Sequence, residues 1–115
     1  MKQDTCSITA LPVEVAASAF SALGSEQRLL VLRQLVRAGP AGLSMGDLGE
    51  STGVTGSTLT HHLKILTGAG LVTQEKHGRS IICGAVDYDK MQALADYLLS
   101  ECCADAAPNA GHEHG

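Results

Sequence analysis

Between Thr52 and Gly70 the chain reads TGVTGSTLTHHLKILTGAG, and no other stretch limits the fold as strongly. Thr52 to Val54 is a tight turn, Thr55 suits a helix N-cap, and Gly68 to Gly70 ends the helix that follows. A shorter helix precedes it. Ser44, with Asp47 three residues on, forms a variant of the capping box and opens a helix to about Thr52. Two helices joined by so few residues must cross rather than continue, which is the helix-turn-helix arrangement.

The flanks complete the pattern. From Leu71 to Val86 β-branched residues surround KHGR, a hairpin tip with Gly78 available for a left-handed conformation. Upstream, Val13, Ala16, Phe20 and Leu23 recur at helical spacing behind Pro12, which suits a first turn. Gly24-Ser25 ends that helix and caps another, whose buried side is expected to carry Leu29, Leu32, Leu35 and Val36. Ala38 to Gly42, AGPAG, breaks it. Asp87 is the expected cap of a last helix with Met91, Leu94, Leu98 and Cys102 in one stripe. The expectation is a mainly α winged helix-turn-helix, in the order helix-helix-helix-helix-hairpin-helix. It spans residues 12–103, between a flexible start (1–11) and a disordered tail (104–115).

Composition narrows the function. A chain of 115 residues builds one core, and with 44% apolar but only 3% aromatic residues that core must be aliphatic. No apolar run reaches membrane-spanning length, and the first twenty residues lack a continuous apolar h-region. These features predict a cytoplasmic protein with no membrane contact, whose four cysteines stay reduced. The formal charge is −4, yet between Thr55 and Ser80 three cations, Lys64, Lys76 and Arg79, oppose Glu75 alone. An acidic body with one basic segment fits docking of a single face onto phosphate.

Placing residues at 100° intervals on the helix from Thr55 puts Leu59, Leu63 and Leu66 on the core side. Ser57, Thr60, His61 and Lys64 face outward, and His62 falls beside the leucines as a structural, hydrogen-bonded histidine. Short polar side chains permit close approach to a major groove, where donors reach base edges and phosphates. The expected DNA-contacting set is Ser57, Thr58, Thr60, His61 and Lys64 on this helix, with Lys76 and Arg79 on the wing beside His77. Enzyme chemistry is not expected. There is no C-x-x-C pair, phosphate-cradling glycine loop or paired carboxylate cleft, and no Ser-His-Asp set is apparent.

The segments FSALGSEQRLLVLRQL, GVTGSTLTHHLKILTGAGLV and EKHGRSIICGAVD resemble the ArsR/SmtB family of bacterial metal- and thiol-responsive repressors over about residues 14 to 103. The resemblance implies a homodimer assembled through its first and last helices. It further implies an operator of dyad symmetry, released when an inducer binds, and no permanently bound cofactor.

Family members differ in where that inducer sits. The cysteine box of the arsenic and cadmium type has no counterpart in LSMGDLGE (Leu43 to Glu50). The zinc type is matched by Asp87, but Asp89 stands where histidine is expected. The persulfide type needs a cysteine on the second helix, and Ser25 to Ala38 has none. What remains is Cys102-Cys103, resembling the subgroup in which a C-terminal vicinal cysteine pair responds to trivalent arsenic. Thiolates are the soft ligands for such a centre. Arsenite takes three sulfurs and methylarsenite two, and the candidates for a third ligand are Cys6 at the flexible start, the better placed, and Cys83 on the second wing strand. In the apolar segment SIICGAV, Cys83 otherwise reads as a small hydrophobe. Oxidation or persulfidation of the same thiols, or another thiophilic metal ion, is the alternative trigger.

Overall fold

The computed structural model describes residues 11–54 and 56–106. The expected flexible start with Cys6, the Thr55 cap, and most of the tail with His112 and His114 lie outside these residues.

Among the described residues, five helices surround a small sheet: α1 (Val13–Ala22), α2 (Glu26–Ala38), α3 (Met45–Thr52), α4 (Gly56–Gly68) and α5 (Tyr88–Tyr97). A 3-10 turn at Gly39–Ala41 leads into β1 (Leu43–Ser44), and β2 (Val72–His77) and β3 (Ser80–Ala85) form the hairpin. The sheet is antiparallel in the order β1-β3-β2. This is the winged helix-turn-helix expected from the sequence, with one added element. The two-residue β1 pairs Leu43 with Cys83 and Ser44 with Ile82, which ties the start of α3 to the wing. Gly42 makes this possible: its φ is +70°, and a Cβ there would collide with the Cys83 carbonyl.

The core is aliphatic, as the composition requires. Ala16, Ala19 and Ala22 of α1, Val31, Leu32 and Leu35 of α2, Leu48 of α3, and Leu59, Leu63 and Leu66 of α4 are buried with Leu71, Val72, Cys83 and Leu94. Local signals set the helix ends. The Ser25 hydroxyl accepts from the Arg28 amide at 3.3 Å, and the Ser44 hydroxyl accepts from the Asp47 amide at 3.1 Å. Gly53, at φ +77°, ends α3, and the Thr52 hydroxyl both donates to the Leu48 carbonyl and accepts from the Val54 amide across the turn. At the end of α4, the Leu71 amide bonds to the Leu66 carbonyl and the Gly70 amide to the Thr67 carbonyl, with Gly70 at φ +78°. That is a Schellman closure, and burial of both Leu66 and Leu71 supplies its hydrophobic contact.

Three packing expectations need correction. On α2, Leu29 and Val36 are exposed and Val31 takes the buried position, because the helix meets the core along Val31, Leu32 and Leu35. On α1, Val13 is exposed, and the small side chains of Ala16, Ala19 and Ala22 form the contact. The stripe on α5 stops early. The helix ends at Tyr97, and Leu98 is 71% exposed, so Cys102 does not continue a buried face. Asp87 stands at the N-cap position of α5 with extended backbone, but its side chain makes no capping hydrogen bond.

Candidate nucleic-acid interface and thiol pair

Helix α4 divides into two faces. Leu59, His62, Leu63 and Leu66 are buried, whereas Ser57, Thr58, Thr60, His61 and Lys64 are exposed. The phase expected from 100° spacing therefore holds, and the outward face is polar and short except for Lys64. The Thr60 hydroxyl is 3.4 Å from the Gly56 carbonyl, a back-bond within the helix.

The wing is a two-residue hairpin with His77 paired to Ser80. Gly78 occupies the first central position at φ +66°, and Arg79 the second without a positive φ, the pattern of a type II′ turn. This sets Arg79 at the tip and Lys76 one step down β2. The His77 Nε2 lies 3.1 Å from the Glu75 carboxylate on the same strand. Among the described residues Lys64, Lys76 and Arg79 have no carboxylate within ion-pair distance, so their charge faces solvent. The Schellman closure joins α4 directly to β2, so both basic segments share one rigid junction.

His62 is held from two sides. Its Nε2 lies 2.9 Å from Gln27 Oε1 and its Nδ1 lies 3.4 Å from Arg28 Nη1. Arg28 Nε in turn donates to the Ala22 carbonyl at 2.6 Å. Burial, then the Arg28 guanidinium, then His61, hold the His62 imidazole below its ordinary pKa of 6.5. Sequence reasoning placed His62 in the interior but did not identify its partners. The polar pair Gln27-Arg28, just inside the Ser25 cap, was the available signal.

After Tyr97 the chain continues as a run of turns, with the Cys102 amide on the Leu99 carbonyl and the Ala104 amide on the Glu101 carbonyl. Cys103 has a φ of +63°, uncommon for a residue with a side chain. Both cysteines are exposed and their sulfurs stand 3.6 Å apart. The hydrogen bond and then the charge of Cys102 push the Cys103 thiol above its ordinary range. An atom bonded to both sulfurs at about 2.3 Å, the length thiolates make to zinc, would subtend an angle of roughly 100°. This suits a pyramidal or tetrahedral thiophilic centre. Cys83 is buried in β3, and burial raises its thiol pKa, so it packs as a small apolar side chain. Among the described residues, no cluster of three or more His, Cys, Asp or Glu side chains is assembled.

A helix crossing on a short turn, a polar exposed second helix and a basic hairpin define a winged helix-turn-helix DNA-binding protein. A family model for a helix-turn-helix domain matches residues 23–75. The chain is 36% identical over 100 residues to the HTH-type transcriptional regulator NmtR of Mycobacterium tuberculosis, covering 83% of this chain and 81% of that protein. It is 37% identical over 86 residues to the arsenical resistance operon repressor of Bacillus subtilis, covering 73% and 75%. Among solved structures, an ArsR-like transcriptional regulator from Rhodococcus sp. RHA1 superposes with a TM-score of 0.64 at 29% identity, over 80% of this chain and 82% of that one. The chain belongs to the ArsR/SmtB family of DNA-binding transcriptional regulators, which act by binding rather than by catalysis. Among the described residues no helix is long and apolar enough to cross a membrane.

Proposed function

We propose that this protein is a cytoplasmic homodimeric repressor that releases an operator of dyad symmetry when a trivalent arsenical binds Cys102 and Cys103. The reading rests on one observation above the others: two exposed thiols 3.6 Å apart, close enough for one atom to bind both. Adjacent thiols condense with the hydroxyls of methylarsenite. Two As–O bonds break, two As–S bonds form, and the thiol protons leave with the hydroxyls as two waters. Arsenite has a third hydroxyl to exchange, and Cys6 is the proposed partner for it. No resident cofactor is required.

Residues Ser57, Thr58, Thr60 and His61 take base edges and phosphates in the major groove, and Lys64, Lys76 and Arg79 take phosphates. Their shared exposure on α4 and the wing supports this assignment. Dimerisation uses α1 and α5, which pack together and leave Val13, Val15 and Tyr88 exposed, continued by Leu98 and Leu99. These apolar side chains gain most from a partner surface. The thiols begin five residues after the end of α5. An arsenical bound there therefore acts at the edge of the interface that spaces the two recognition helices. One relative is by name the repressor of an arsenical resistance operon, which supports the inducer class.

The test is release of a DNA duplex selected by the protein from a randomised pool, titrated separately with arsenite, methylarsenite, antimonite, zinc and polysulfide. Release by the trivalent arsenicals at near-stoichiometric ratio is expected. Release by polysulfide or zinc alone would replace arsenic with a redox or metal trigger.

A further inference from the structure

Arg28 joins three elements. It lies in the first turn of α2, donates to the last residue of α1, and reaches the buried ring on α4. A guanidinium only donates hydrogen bonds and does not lose its proton. The His62 Nδ1 facing it must therefore be the bare acceptor nitrogen. The proton then sits on Nε2, which donates to Gln27 Oε1 at 2.9 Å. One neutral tautomer satisfies both contacts. The other tautomer sets donor against donor at Arg28, and the imidazolium adds cation against cation.

Position gives this arrangement its consequence. His62 follows His61 directly and lies two residues from Lys64, both on the exposed face of α4. Anything that moves His62 away from α2 rolls or shifts the face that meets DNA. The charged and titratable groups acting on the ring are Arg28 from α2 and His61 from its own helix, while α1 contributes the Ala22 carbonyl to Arg28. No carboxylate among the described residues compensates a proton gained there.

We propose that Gln27 and Arg28 are positioning residues for DNA recognition, seating α4 through the single neutral tautomer of His62, so that protonation of this ring lowers DNA affinity. The proposal rests on the reading that the outward face of α4 meets DNA. It explains why the first turn of α2, which is not itself part of the exposed face of α4, carries an exposed glutamine and a half-buried arginine that both bond to the buried ring of His62.

The decisive variant is Gln27→Glu. It keeps the shape of the side chain but sets a carboxylate against Nε2, which favours the imidazolium and raises the pH at which His62 takes up a proton by about one unit or more. Two measurements are made on the full-length protein. Nitrogen-15 NMR of the imidazoles gives the tautomer and titration of His62, with His61 and His77 assigned alongside. Affinity for a duplex selected from a randomised pool is followed by anisotropy between pH 5 and pH 8. The affinity comparison is made in a His61→Gln/His77→Gln background, so that neither of those rings contributes to it.

The expected result is Nε2–H at His62 at neutral pH, and a loss of affinity on acidification that moves to higher pH in Gln27→Glu together with the NMR titration. A His62 carrying its proton on Nδ1, or an affinity profile that Gln27→Glu leaves in place while the ring's titration moves, would overturn the proposal. Lys64→Ala in the same assay separates the two readings. If it weakens binding while Gln27→Glu leaves the pH profile in place, only the clamp fails; if it has no effect, the docking face itself is wrong.

Discussion

The rings of His61 and His62 stand 5.8 Å apart, centroid to centroid, and differ in almost everything else. His61 is exposed, whereas His62 is buried between Gln27 and Arg28. Removing His62 deletes a buried ring together with its hydrogen bonds to exposed Gln27 and half-buried Arg28, a loss of about 0.5–3 kcal/mol. His62→Ala is therefore expected to lower the unfolding free energy by that amount in urea titration. His61→Ala should leave it within about 0.5 kcal/mol of wild type.

The pH dependence has a definite sign. The folded state holds His62 below its ordinary value of 6.5, so the unfolded chain binds the proton more readily. Stability from this group is complete above about 6.5, and it declines as pH falls below that value until the folded-state pKa is reached. Denaturant midpoints measured between pH 7.5 and pH 5.5 should show this slope in wild type and less of it in His62→Gln. An equal slope in both would assign the effect to other groups.

At the scale of elements, α4 and the wing act together because the Schellman closure at Gly70 fixes the exit from one to the other. Each phosphate contact contributes about 0.9 to the slope of log affinity against log salt, and a symmetric dimer doubles it. Lys64→Ala and Arg79→Ala are each expected to weaken binding and flatten that slope by roughly two. Unchanged affinity and slope in both variants would remove the docking face.

The same elements show what the linear chain discloses. The phase of α4 was legible because its leucines recur at strict helical spacing and its turns carry glycine. Leu29 and Val36 on α2 misled because an exposed leucine or valine looks the same in sequence as a buried one. Which of them meets the core depends on where α3 and α4 cross the helix. Strand β1 was invisible: two residues have no periodicity, and the pairing depends on how closely the Gly42 backbone approaches Cys83. The end of α5 was overestimated because a stripe of apolar residues continued past the point where the backbone turns.

For the whole molecule, the proposed induction requires that an arsenical bind the DNA-free arrangement of a dimer more tightly than the DNA-bound one. A hundredfold fall in DNA affinity corresponds to about 2.7 kcal/mol of coupling, within the range that allosteric pairs reach. The thiols lie beyond α5 and outside the reading face, so they should affect release without affecting docking. Cys6→Ser further separates the ligands, since loss of the arsenite response with the methylarsenite response retained would make it the third sulfur.

The most direct measurement is the anisotropy of a fluorescent duplex, selected from a randomised pool and saturated with protein, titrated with methylarsenite for wild type, Cys102→Ser and Cys103→Ser. The account predicts equal DNA affinity in all three proteins before titration. Wild type alone then releases the duplex, at about one equivalent per cysteine pair. Normal release by both serine variants would contradict it and place the inducer elsewhere in the molecule.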